Sequence, residues 1–130
     1  MIIAIVAHDG KKAEMVQFLN EHADFLHQNE IKLIATGTTG SKVEKVGFEV
    51  TKLLSGPYGG DAQIASRVSE GKCDMVVFFR DPLAKHPHEP DISVLMRICD
   101  VHDVPLATNP STANLLFEGL KKSGKLNPAN

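Results

Sequence analysis

The apolar positions change period along this chain. The run IIAIVA at 2–7 is continuous, rich in β-branched residues and bounded by a polar turn, which predicts a buried strand. From Lys11 to Gln28 apolar residues recur at Met15 and Val16, Leu19, Ala23 and Leu26, the spacing of a helix with one buried face. KLIATG at 32–37 predicts a second strand that stops at glycine, SKVEKVG at 41–47 a short helix, and FEVTKLL at 48–54 a third strand. Residues 61–71 suit a helix ending near Gly71, and DMVVFF at 74–79 reads as a strand buried on both faces. DISVLMRICDVH at 91–102 predicts a helix and VPLATN at 104–109 a last short strand. STANLLFEGLKK at 111–122 predicts a last helix with Ser111 as its N-cap. The tail SGKLNPAN at 123–130 is polar and predicts a loose end.

This alternation of strand and helix predicts one α/β domain over 1–130: a single-domain, doubly wound, mostly parallel sheet with helices on both faces. A chain of 130 residues suits one domain with a proper core, and no linker, repeat or low-complexity segment divides it. The net charge of −2 comes from mixed signs spread along the chain, unlike the concentrated basic face of a nucleic-acid binder. No apolar stretch approaches the ~18 residues of a membrane span. The apolar run at 2–7 lacks the basic flank and cleavage site of a signal peptide. Cys73 and Cys99 match no metal or redox spacing and predict two reduced, buried thiols in a cytoplasmic protein.

In open α/β sheets ligands bind beyond the carboxyl ends of the strands, which directs attention to the residues that follow each run. There lie His8, Asp9 and Lys12; TGTTG at 36–40; Ser55 and Gly56 with Gly59, Gly60 and Asp61; and Arg80 and Asp81 through His88 and Asp91. TGTTG reads either as a tight strand-to-helix turn or as an anion cradle. In the second reading the amides and hydroxyls of Thr36, Gly37, Thr38 and Thr39 converge at a helix start. Ser55-Gly56 offers a second small donor pair, and Lys12 adds a cation. Convergence of three such loops favours the cradle, sized for a single anion rather than a nucleotide.

Asp61 reads either as an ordinary first-turn or cap residue or as a carboxylate poised for chemistry; three glycines within five residues before it favour the second. His88 lies in KHPHEPD between two prolines that stiffen its loop, and Asp91 is placed to cap the next helix and orient the ring. His86 and His88 could form a metal pair, but no third ligand is convincingly spaced. His8 reads either as a hydrogen-bonded core histidine or as a site residue.

Taken together, VAHDGKK, ATGTTG, LLSGPYGGDAQIA, FFRDPL, HPHEPD and VPLATNPSTA resemble the successive motifs of the methylglyoxal synthase family over nearly the whole chain. That resemblance implies conversion of dihydroxyacetone phosphate to methylglyoxal and inorganic phosphate, in a bypass of glycolysis, with no metal or organic cofactor. It implies phosphate binding at Lys12, Thr36, Gly37, Thr38, Thr39, Ser55 and Gly56, a catalytic carboxylate at Asp61 and a histidine at the substrate oxygens at His88. His8 matches another active-site position; Asp9, Asp81 and Asp91 match supporting acids, and Gly60 belongs to the same glycine motif. The resemblance further implies a homohexamer that responds to phosphate. Arg80 departs from the family, which often has an aromatic or apolar residue there, and the short tail contains no arginine.

Overall fold

The structure, a computed structural model, describes residues 1–123. Five parallel strands form one sheet in the order β3-β2-β1-β4-β5, where β1 is Ile2–Ala7, β2 Lys32–Ala35, β3 Val50–Lys52, β4 Met75–Phe79 and β5 Leu106–Ala107. The helices are α1 (Lys12–Glu21), α2 (Ala23–Gln28), α3 (Gly37–Lys45), α4 (Gly60–Ser69), α5 (Glu89–Val101) and α6 (Pro110–Ser123). Among the described residues no helix is long and apolar enough to cross a membrane.

Strand alternation sorts the core into two layers. Ile3, Ile5, Met75, Val77 and Phe79 point to one side, where they pack on Met15, Phe18 and Leu19 of α1, Val43 of α3 and Phe117 of α6. Ala4, Val6, Val76 and Phe78 point to the other, against Ile64 and Val68 of α4 and Ile92, Leu95 and Cys99 of α5. Both faces are therefore covered, and β1 and β4 carry the unbroken apolar runs that such strands require. Cys73 and Cys99 are buried free thiols.

Several boundaries differ from the sequence expectation, each for a physical reason. The helix expected over 11–28 breaks at His22. That ring is buried between Phe18 and Phe117 and hydrogen-bonds Asn114 (2.7 Å) and Lys121 (3.0 Å) of α6, so tertiary contacts set the bend. α3 starts at Gly37, inside TGTTG, rather than at residue 41. β3 is shorter than 48–54 because Phe48 leaves the strand for the core and Leu54 turns its carbonyl onto the Gly37 amide (3.3 Å). β5 is only two residues long, preceded by Pro105, which has no amide to donate. Ser111 does not cap α6: the Asn109 carboxamide oxygen accepts the Thr112 amide at 3.0 Å and takes that role. The loose end expected over 123–130 lies, beyond Ser123, outside the described residues.

The strand order reverses between β1 and β4. Their carboxyl ends carry His8 and Arg80-Asp81, and this switch point is where an open parallel sheet leaves a crevice.

Candidate active site

A cavity of about 330 Å³ opens at that crevice. His8, Asp9 and Lys12 enter it from the turn after β1, Thr36 and Thr38 from the start of α3, and Gly56 and Asp61 from the turn into α4. The 81–88 loop contributes Asp81 and His88. Five buried side-chain atoms lack a hydrogen-bond partner among the described residues: His8 Nε2, both oxygens of Asp61, His86 Nε2 and His88 Nδ1. All five belong to residues that line this one cavity. A native fold rarely tolerates such groups without a use for them. A larger hollow of about 960 Å³ at the other end of the sheet, between α2, α3 and β3, contains none of them.

Asp61 occupies the first turn of α4 but does not cap it; Gly59, in the left-handed region at φ 102°, holds the cap position. The carboxylate is 0 % exposed and its Oδ2 lies 3.7 Å from His88 Nε2. Burial raises its pKa above the ordinary carboxylate value, and Asp91 adds to the rise, while His88 and His86 oppose it. Gly56 is what allows this pair to form. A Cβ on Gly56 would sit 2.7 Å from His88 Nε2 and 3.3 Å from Asp61 Oδ1. Gly60 has a different reason: a Cβ there would fall 1.9 Å from the Leu54 carbonyl, so that glycine lets α4 approach the chain leaving β3. The space at Gly60 is thus filled by protein backbone and is not a bed for a ligand.

His8 accepts the Asp81 backbone N–H at Nδ1 (2.8 Å), which leaves the ring proton on Nε2, facing the cavity. Burial, then the neighbouring His86, His88 and Arg80, lower its pKa to about 4, against a small opposing pull from Asp81. His8 is therefore a neutral N–H donor at physiological pH. The Lys12 side chain is 8 % exposed and its ammonium is ion-paired with the carboxylate of Asp9, which is 99 % exposed. That contact holds the Asp9 carboxyl below its usual range. A cation so buried, paired with a solvent-facing acid, can exchange that acid for an incoming anion.

Five of the expected residues stand behind the cavity instead of lining it. The Thr39 hydroxyl bridges the Ala7 amide (3.2 Å) and carbonyl (3.3 Å), tying α3 to the end of β1. The Gly37 amide is bound to Leu54. Ser55 accepts the amides of Tyr58 (3.0 Å) and Gly60 (3.1 Å), building the tight turn before Asp61. Gly60 packs on Leu54, and Asp91 donates its amide to the His88 carbonyl (3.0 Å) while its carboxylate does not reach the His88 ring. The expected orienting contact from Asp91 to His88 is therefore absent; backbone turn geometry positions the ring instead. The lining residues that the sequence does not assign to the site include Gly10, where a Cβ would meet Asp81 Oδ2 at 3.0 Å, Lys85, and His86, stacked on His8. The HPH doublet was a visible signal for His86, read there only as a metal pair. Among the described residues no group of three or more His, Cys, Asp or Glu is placed to hold a metal ion.

The arrangement offers a buried base, a histidine beside it, a neutral imidazole donor and a cation next to an open helix start. A family model described as MGS-like domain matches residues 15–108. The chain is 54% identical over 123 residues to the methylglyoxal synthase of Geobacillus thermodenitrificans, covering 94% of this chain and 84% of the relative. It is 53% identical over 121 residues to that of Cupriavidus taiwanensis, covering 92% and 90%. The crystal structure of methylglyoxal synthase from Elizabethkingia anophelis NUHP1 superposes with a TM-score of 0.81 at 41% identity, over 88% of this chain and 75% of that one. On these grounds the chain belongs to the methylglyoxal synthase family.

Proposed function

We propose that this chain converts dihydroxyacetone phosphate to methylglyoxal and inorganic phosphate, with Asp61 as the base. The observation that carries the reading is the fully buried Asp61 carboxylate, unpartnered, facing a cavity whose other unpartnered atoms are all imidazole nitrogens. The substrate C3–H beside a carbonyl is a far weaker acid than a carboxylic acid. Its removal needs a base strengthened by desolvation and donors already aimed at the oxygen where charge develops. Raised basicity of Asp61 supplies the first, and His8 Nε2–H and His88 supply the second. A carboxylate paired with a neutral imidazole is the combination known from triosephosphate isomerase.

Asp61 takes the C3 proton, giving an enediolate over C2 and C3. His88, next to Asp61, then moves a proton between the enediolate oxygens. Electrons of the enediolate expel phosphate from C1 as that C–O bond breaks, leaving the enol of methylglyoxal, which tautomerises. Whether phosphate leaves depends on one torsion. A C1–O bond perpendicular to the enediolate plane overlaps its π system, and an in-plane bond does not. Lys12, the first turn of α3 with Thr36 and Thr38, and Gly56 hold the phosphate in the perpendicular arrangement and neutralise its departing charge. We take the working assembly to be a cytoplasmic homohexamer that binds inorganic phosphate as product and inhibitor.

Incubation with dihydroxyacetone phosphate tests the reaction. Methylglyoxal and phosphate in equal amounts are expected. Glyceraldehyde 3-phosphate would instead reveal an isomerase, and binding with no product would reveal an effector-binding module.

A further inference from the structure

Three contacts immobilise His8. The Asp81 amide holds Nδ1 at 2.8 Å, Phe78 meets the ring edge with centroids 5.1 Å apart at 76°, and His86 lies across its face with centroids 3.6 Å apart at 22°. The hydrogen bond fixes one atom and the edge contact one side, and neither alone stops the ring tilting about the Nδ1 direction. The stacked face does. We propose that His86 is a positioning residue for the reaction, whose stacked ring fixes the plane of His8 and keeps its Nε2–H aimed into the cavity. This inference rests on the reading of that cavity as the elimination site.

The stack acts on charge as well as on geometry. Two imidazolium rings in face-to-face contact repel, so the His86 ring disfavours protonation of His8. The groups facing His8 are His86 and His88 from the 81–88 loop, Arg80 and Asp81 beyond β4, and Asp9 on the turn after β1; the two histidines and Arg80 oppose its protonation and Asp81 favours it. Loss of His86 therefore removes an opposing group and opens one ring face to water, and both changes let His8 take up a proton more readily. A protonated His8 would have to give up the Asp81 amide, because Nδ1 could no longer accept it.

His86→Ala and His86→Phe separate the flat ring from its nitrogen. In His86→Ala, kcat is expected to fall about 10-fold with KM changed less than about 3-fold, below the roughly 10²–10³-fold cost of deleting an oxyanion donor outright because the donor is loosened and not lost. By NMR titration, His8 of the wild-type protein is expected to stay neutral down to about pH 4, and in His86→Ala its titration is expected to move upward. His86→Phe restores a stacked face and is expected to return kcat to within about 3-fold of wild type, a separation too small to count as loss of a catalytic group. An unmoved His8 titration in His86→Ala overturns the inference, as does an unchanged kcat. His86→Phe as slow as His86→Ala overturns it too, since the nitrogen and not the stack would then matter. The titration needs no substrate and reads the stack alone, whereas a wild-type protein that forms no methylglyoxal defeats the proposed function.

Discussion

Gly56→Ala is the sharpest test of how the site is built, because the backbone there is not in the left-handed region and alanine is free to adopt its conformation. The added methyl would stand 2.7 Å from His88 Nε2, 3.1 Å from its Cδ2 and 3.3 Å from Asp61 Oδ1. Against a comfortable separation of about 3.5 Å, the imidazole must retreat by roughly 0.8 Å. A displacement near 1 Å at a reacting group costs about 10²-fold in rate, equivalent to about 2.7 kcal/mol of barrier. The ring can swing into the open cavity, so stability should fall by less than about 1 kcal/mol. Gly60→Ala is the control with the opposite signature. Its methyl would meet the Leu54 carbonyl at 1.9 Å, a backbone atom that no rotamer change relieves. That substitution should cost about 3 kcal/mol or more, the upper end for overpacking. Steady-state turnover of dihydroxyacetone phosphate and urea unfolding of both variants give the comparison. Gly56→Ala with kcat within about 3-fold of wild type would refute the claim that His88 and Asp61 must keep their present separation.

The other expectations follow from single contacts. Lys12→Ala should raise KM for the phosphate-bearing substrate and weaken inhibition by inorganic phosphate together, roughly 10- to 100-fold each, the worth of a charge-assisted hydrogen bond; unchanged phosphate inhibition would remove Lys12 from the phosphate site. Thr39→Val should lower stability by about 1–3 kcal/mol in urea melts, because the Ala7 amide loses its partner. Asp61→Asn should make the protein more stable at neutral pH. The folded-state pKa of Asp61 is raised, so wild-type stability falls as pH climbs from the unfolded value of 3.8 through the folded one, and the variant escapes that loss. The stability difference should vanish at acid pH; a difference independent of pH would show that Asp61 is not a strained carboxylate. For the same reason the acid limb of kcat/KM, corrected for ionisation of the substrate phosphate, should lie above pH 3.8.

How much of this was legible in the residues depended on how local the cause was. β1 and β4 announce themselves because strands covered on both faces must be apolar throughout. The positions of His8, Asp61 and His88 followed from the rule that sites form beyond strand ends. Their states did not. His8 is neutral first because it is buried and then because of the His86 ring stacked on it, and its proton sits on Nε2 because an amide 73 residues away holds Nδ1; neither partner is a neighbour in sequence. TGTTG looked like a loop before a helix because glycine and threonine are poor helix formers, yet the helix begins at Gly37, where the Leu54 carbonyl holds the first amide. Thr39 reads like its neighbours as an anion donor, and only the approach of β1 shows that its hydroxyl is already engaged. The break at His22 likewise belongs to α6, which supplies both ring partners.

The central claim is that Asp61 removes the C3 proton and that phosphate leaves from the resulting enediolate. The most direct measurement follows dihydroxyacetone phosphate labelled with tritium at C3, recording label released to water, methylglyoxal and inorganic phosphate for wild type and Asp61→Asn. The account predicts that wild type forms methylglyoxal and phosphate in equal amounts with accompanying label release, and that all three fall by roughly 10³-fold or more in Asp61→Asn. Near-normal phosphate release by Asp61→Asn, or label release by wild type without phosphate, would contradict it.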